Sequence, residues 1–394
     1  MIEEKEQQEV IDLCRKLVQQ ESTSGKEQGT ASVIASFMES NGFTNIHTDV
    51  YGNVLGSLVG GKPGPTVLFD GHMDTVPVPD SKVWQYAPFE AKQVGDRIYG
   101  RGTSDMKGAL ASMLVAAAAF AKKADFDFAG TITVAGVVHE ECFEGVAARA
   151  ISKEVKPDYV VIGEASHLNL KIGQRGRAEI VLESFGKSCH SANPEKGINA
   201  VYKMMKAVDA IQQIEPLHHP IMGDGILELT DMKSYPYPGA SVVPDYCRAT
   251  YDRRLLVGET KVSVLAPIET LLDNLMADDP EAKYRVSYAT GRESCYTGAE
   301  IEGERFFPGW LEDESTPWIQ NVKSAIEARG YHPQITQYNF CTNGSHYAGE
   351  AQIPTIGLGP SLESLAHTVD EYIEVSELFG AVDCYQGLMT ALLS

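Results

Sequence analysis

Two glutamates stand side by side, Glu140 and Glu141, after the apolar run Thr131-Ile132-Thr133-Val134-Ala135-Gly136-Val137-Val138. Adjacent carboxylates repel each other and cost desolvation energy near a core. Other polar residues follow apolar runs in the same way. His72 comes after Pro65-Thr66-Val67-Leu68-Phe69-Asp70-Gly71, and Glu164 after Asp158-Tyr159-Val160-Val161-Ile162-Gly163. Asp105 lies in a turn-rich loop, Tyr99 to Gly108, that feeds an Ala-rich helix. Each has a bland reading alone: a solvated strand end, a structural histidine, a helix cap. Four carboxylates and a histidine at one sheet edge are hard to place without a cation. Imidazole with carboxylate suits zinc, with cobalt or manganese as alternatives. In that setting one glutamate of the pair binds metal and its neighbour handles protons.

Other chemistries fit the residues worse. A His-Glu-x-x-His zinc helix needs histidine at 143, where Phe143 stands. Gly102-Thr103-Ser104-Asp105-Met106 lacks the final glycine of a nucleophile elbow, and Gly173-Gln174-Arg175-Gly176 is neither a P-loop nor a complete dinucleotide fingerprint. Cys189 beside His190 is a poor nucleophile pair, because neighbours on a strand face opposite ways.

The elements that must position these residues read as two rhythms. Helical periodicity over 3–21 and 29–40 precedes short strands near 45–50 and 53–59, a strand at 65–70, a helix at 108–123 and strands at 131–138 and 158–163. Downstream, Ile353 to Leu358 leads through a Gly/Ser loop to His367. This alternation predicts an α/β sheet covered by helices on both faces. The middle differs: strand 177–185, helix 197–213, strands 226–232 and 241–251, helix 259–275, strand 284–289. That order is β-α-β-β-α-β, a ferredoxin-like unit inserted into the larger one. The expected division is 1–176 with 290–394, and 177–289.

A chain of 394 residues, 43% hydrophobic and 22% charged, is long enough for two cores. No apolar run approaches the roughly 20 residues of a bilayer span, and the charged N-terminus is unlike a signal peptide. Seven cysteines without a CxxC pair predict reduced thiols in a cytoplasmic protein. A formal net charge of -21 speaks against nucleic acid or an anionic membrane as partner.

The runs "GHMDTVP", "GRGTSDMKGAL", "VVHEECFEG", "VIGEAS" and "AHTVDEY", in this order, resemble the zinc-dependent exopeptidase and deacylase family. That family includes acetylornithine deacetylase, succinyl-diaminopimelate desuccinylase, aminoacylase and carboxypeptidase G. Within it, the chain looks closest to hydrolases of selenium- and purine-metabolism gene clusters. The resemblance implies that His72 and Glu164 bind one cation, Glu141 and His367 a second, and Asp105 bridges them. It makes Glu140 the general base and Asp74 the acid that orients the ligating imidazole, and it implies a cis Asp105–Met106 peptide. The insert resembles the family's lid and dimerisation domain. There His190, in "GKSCHSANPEKGINA", would stabilise the transition state, and Arg254, in "YDRRLLVGE", would clamp a substrate carboxylate. Four departures touch the substrate side: His139 where Asp is usual, Ser241 for Asn, Val257 for Pro, and "CTNGSHYAG" in place of a Gly-Thr-Asp loop.

The expected activity is hydrolysis, by water activated at two metal ions, of the amide in a small N-acyl, N-carbamoyl or peptidyl amino acid with a free carboxylate. The alternatives are a dipeptidase or aminopeptidase, and a metal-dependent binding protein without turnover. Exposed sheet edges in the insert predict a homodimer.

Overall fold

The computed structural model describes residues 2–393. Two compact units form: Met1–Gln174, Arg292–Glu302 and Leu311–Ser394 make the larger, and Arg175–Gly291 with Gly303–Trp310 make the smaller. The segment 303–310, expected in the larger unit, belongs to the smaller because Phe306–Phe307 pairs antiparallel with the strand Gly176–Phe185.

The larger unit is built on a nine-stranded mixed sheet. At its centre Ala129–Val137, Lys62–His72, Tyr159–Ile162 and Thr355–Gly357 lie side by side and parallel. These strands read as continuous apolar runs because both faces are covered. Val67, Leu68, Phe69, Val134, Ala135, Val160 and Val161 are all fully buried. Parallel neighbours present the same ends together, so residues following these strands gather at one edge of the sheet.

The helix Gly108–Lys123 is buried nearly all round. Its stretch from Thr103 is long and apolar enough to span a membrane by length and composition, which the sequence reading did not anticipate, yet 89% of it is buried inside the protein. Alanines at 116–119 let it lie close to its neighbours, including the C-terminal helix Val375–Leu393. Among the described residues, none of the seven cysteines is joined in a disulfide.

In the smaller unit a sheet runs in the order Ile226–Tyr235, Tyr246–Leu255, Gly176–Phe185, Tyr284–Tyr288. Helices Ala200–Ile211 and Lys261–Asp278 pack on it over a core that includes Ile180, Leu182, Met204, Ala249, Val264 and Ile268. The strand expected at 241–251 begins instead at Tyr246. Val242–Val243 pairs separately with Cys189–His190, and Pro244 between them has no N–H to continue a ladder.

Candidate metal centre

His72 closes the strand Lys62–His72 and is 1% exposed. Its Nδ1 lies 2.7 Å from the main-chain carbonyl of Asp74, so Nδ1 carries a proton and donates it there. The neutral ring therefore turns the Nε2 lone pair towards Asp105 Oδ1 at 2.8 Å and Glu164 Oε1 at 3.4 Å. Lone pairs facing lone pairs need a cation between them, either a proton or a metal. The same holds across the cluster: His367 Nε2 faces Asp105 Oδ2 at 3.1 Å and Glu141 Oε2 at 3.0 Å. The two oxygens of Asp105 thus look at different imidazoles. Asp105 sits between two half-sites.

Local backbone delivers these groups. Asp105 lies in an irregular turn, Thr103–Lys107, ahead of the buried helix, and the Asp105–Met106 peptide is cis. His367 has φ +63° and His139 φ +57°. Left-handed backbone at non-glycine residues is uncommon and clusters at functional sites. Glu140 and Glu141 follow the strand Ala129–Val137, and Asp74 holds both: its Oδ1 accepts Glu140 N–H at 3.1 Å and its Oδ2 accepts Glu141 N–H at 3.2 Å. Ser24 Oγ donates to the same carboxylate at 2.7 Å. The imidazole of His72 is thus oriented by the carbonyl of Asp74. The Asp74 carboxylate, 3.6 Å from Nδ1, orients the glutamate pair.

The electrostatics describe a site short of positive charge. Burial raises Glu140 and Glu164 well above the ordinary carboxylate range; Glu164 and Glu141 add to this at Glu140, and Asp105 adds to it at Glu164. Burial also raises Glu141. Burial opposes the charged form of His72 too, but Asp105 and Glu164 overcome it and raise the ring well above its usual value. Hydrogen bonds to Asp105 and Glu141 raise His367 to about 10. Protons held in this way occupy the place that divalent cations take when they bind and displace them. Ligand atoms of His72, Glu140 and Glu164 lie within 4.8 Å of one another, as do those of His72, Asp105 and Glu141. The donor set fits a pair of divalent cations.

The family is now decided by the chain's likeness to known proteins. Residues 68–391 match the model of peptidase family M20/M25/M40. The chain belongs to the M20 peptidase family. It is 31% identical over 393 residues to the uncharacterised protein YgeY of Escherichia coli K12, covering 98% of this chain and 95% of YgeY. It is 32% identical over 402 residues to a succinyl-diaminopimelate desuccinylase of Coxiella burnetii, covering 96% and 97% of the two chains. Among solved structures it superposes on YxeP of Bacillus subtilis, described as a dinuclear metal binding peptidase of family M20. There the TM-score is 0.73 at 14% identity, with 98% of each chain covered.

His190 and Arg254 lie in the smaller unit. His190 is exposed, and its Nδ1 accepts the Ala192 N–H at 3.0 Å, which puts the neutral ring's proton on Nε2. Arg254 Nη2 lies 3.0 Å from Asp252 Oδ2. One buried residue that contacts Asp105 was not among those singled out from the sequence. Glu371, fully buried, accepts the N–H groups of Ser104 at 2.8 Å and Asp105 at 3.1 Å and the guanidinium of Arg101 at 2.6 Å. Its signal was its place four residues after His367 in "AHTVDEY".

Proposed function

We propose that the protein is a binuclear metal-dependent amidohydrolase that cleaves a small N-acyl, N-carbamoyl or peptidyl amino acid. The observation that carries this reading is Glu140, a buried carboxylate set among metal-ligand atoms and raised above its usual range. A site that only holds a cation has no use for a second acid beside Glu141. The chain's kinship with a desuccinylase adds support.

His72 and Glu164 would hold one cation, Glu141 and His367 the other, and Asp105 both. Zinc suits this mixed imidazole and carboxylate set, with cobalt or manganese as alternatives. Cations held there would supply Lewis acidity towards the scissile carbonyl and would lower the pKa of a water. Distance alone would admit Glu140 as a ligand; the resemblance of "VVHEECFEG" to the family's motif supports the role of general base instead. Its carboxylate takes the proton of the attacking water and returns it to the leaving nitrogen, which departs as the amine. Asp74 fixes the direction from which Glu140 does so, through its hydrogen bond to the Glu140 N–H. His190, protonated on Nε2, is suited to donate to the developing oxyanion, a contribution typically of about 10²–10³ in rate. Arg254 is proposed to pair with the substrate carboxylate.

A homodimer through the smaller unit is part of this proposal. Its support is the strand Ile226–Tyr235, which ends the sheet and exposes Ile226, Met232 and Tyr235. Cytoplasmic residence is proposed on seven cysteines of which none is in a disulfide.

The test is amine release from N-acetyl, N-succinyl and N-carbamoyl amino acids beside dipeptides, with and without a chelator. Chelator-sensitive turnover of one class names the substrate type. Turnover unaffected by metal removal would sink the metallohydrolase reading, and zinc binding without turnover of any substrate would favour the binding protein.

A further inference from the structure

The segment Cys341 to Gly349 is largely buried. Thr342 is 0%, Asn343 1% and Ser345 1% exposed. Asn343 uses its side chain at both ends. Its Oδ1 accepts the Gly145 N–H at 2.8 Å, and its Nδ2 donates to Asp70 Oδ1 at 2.9 Å. Tyr347 Oη donates to the other oxygen of Asp70 at 2.8 Å. Thr342 is fixed in turn: its Oγ1 donates to Gln174 Oε1 at 2.6 Å and accepts the Gly344 N–H at 3.0 Å.

We propose that Asn343 is a positioning residue for Glu140 and Glu141, clasping the far end of their loop to the strand that carries His72. The proposal rests on the metallohydrolase reading above. The loop leaves its strand after Val137 and regains regular structure at the helix Ala148–Val155. Its outgoing end is held by Asn53 Oδ1 on Val138 N–H and by Asp74 on Glu140 and Glu141. Its return is held at Gly145, which has φ +86° and no room for a side chain. A Cβ there would stand 2.8 Å from that of His346. Asp70 lies two residues before His72, so both side chains leave the strand on the same face. Gly145, Asn343 and Asp70 thus tie the base-bearing loop to the first metal-binding strand. Being buried, Asn343 acts through these groups and not on the substrate.

Two variants of the full-length, zinc-loaded protein test this. Asn343→Leu keeps the size and removes both hydrogen bonds, leaving Gly145 N–H and an Asp70 oxygen buried without partners. The exchange Asp70→Asn with Asn343→Asp reverses donor and acceptor. The carboxylate then at position 343 can still accept from Gly145 and from the amide at position 70. The oxygen of that amide can still accept from Tyr347. Loss of an outer partner of a metal site typically costs about 10–100-fold. Asn343→Leu should therefore lower kcat and zinc affinity by about 10–100-fold, leave KM little changed, and speed amide exchange over residues 138–147 by about 10-fold. The double exchange should bring all three readouts back to within about 3-fold of wild type, far inside that range.

Wild-type loop exchange and kcat in Asn343→Leu, or a double variant no better than Asn343→Leu, would overturn the proposal. If Asn343→Leu does not fold, the double variant decides alone: a folded protein with the wild-type readouts supports the clasp, and failure to fold refutes it. Wild-type protein inactive on every substrate would count against the hydrolase reading, and loop exchange and zinc affinity would still decide the clasp.

Discussion

Replacing each of the neighbouring glutamates by glutamine should give opposite results. Glu140→Gln preserves shape, hydrogen-bonding reach and the main-chain contact of residue 140 with Asp74, and removes only the capacity to take a proton. Base catalysis contributes about 10²–10⁴ in rate, which at about 1.4 kcal/mol per decade is about 3–5 kcal/mol of barrier. We expect kcat to fall by that factor with both zinc equivalents retained. Glu141 meets His367 at 3.0 Å, and its other oxygen accepts the Val76 N–H at 3.2 Å. On the proposed assignment Glu141→Gln removes a charged ligand and should weaken one zinc equivalent by more than the ~10–100-fold expected of outer partners. Steady-state kinetics and zinc content after gel filtration, measured on the same preparations, separate the two. A Glu140→Gln protein that keeps more than about a tenth of its kcat, against the expected loss of 10² or more, refutes the base assignment. So does one that loses a zinc equivalent while Glu141→Gln keeps both.

Chelation should lower the melting temperature and zinc should restore it, since a ligand at about 100 times its Kd adds about 2.7 kcal/mol; a zinc-independent melt would contradict the centre. Arg101→Met leaves the buried carboxylate of Glu371 its two main-chain donors but removes its countercharge, and should destabilise the protein by about 3–5 kcal/mol, as broken buried pairs do, read by urea unfolding. A loss below about 1 kcal/mol would place that pair among the weak ones. Burial works against ionisation of Glu350, but hydrogen bonds from His346 and Arg149 prevail and lower it from 4.5 to about 2. Its folded value lies below its unfolded one, so its stabilisation is complete above about pH 4.5 and fades as pH falls towards 2. The gap in melting temperature between wild type and Glu350→Gln should therefore narrow from pH 6 to pH 3.5, and a gap that widened would reverse the sign. Mixing Glu140→Gln with His190→Ala should restore activity if His190 serves a partner's site, provided subunit exchange is shown; exchanged but inactive mixtures would exclude action in trans.

The strand ends that bring His72, Glu141 and Glu164 together were legible because each closes an apolar run too regular to be a loop, and such runs end at one edge of a parallel sheet. What the sequence hid were contacts made across long separations. Glu371 reaches back 267 residues to Ser104, and Asn343 reaches 198 to Gly145, and no local periodicity reports either. One sign was available: Asp70 is an acid inside an apolar run, and a buried carboxylate must have donors somewhere. The misplaced strand at 241–251 has a local cause, since Pro244 divides a β-prone stretch that hydropathy alone joins. His72 Nδ1 meets the Asp74 carbonyl at 2.7 Å and its carboxylate at 3.6 Å, a division between main chain and side chain that the family resemblance does not specify.

The place of Thr355–Gly357 in the sheet matters for how the chain is made. It fills the position between Tyr159–Ile162 and Leu170–Gln174, yet it is synthesised long after both. At about 5–20 residues per second the ribosome takes about 10–40 s to pass from one to the other. Throughout that interval the nascent sheet carries an open slot flanked by apolar strands with unpaired backbone, a surface that invites pairing with foreign strands. The slot closes only when Thr355–Gly357 emerges, shortly before His367. A polypeptide truncated before residue 355 would therefore keep this open edge and lack His367.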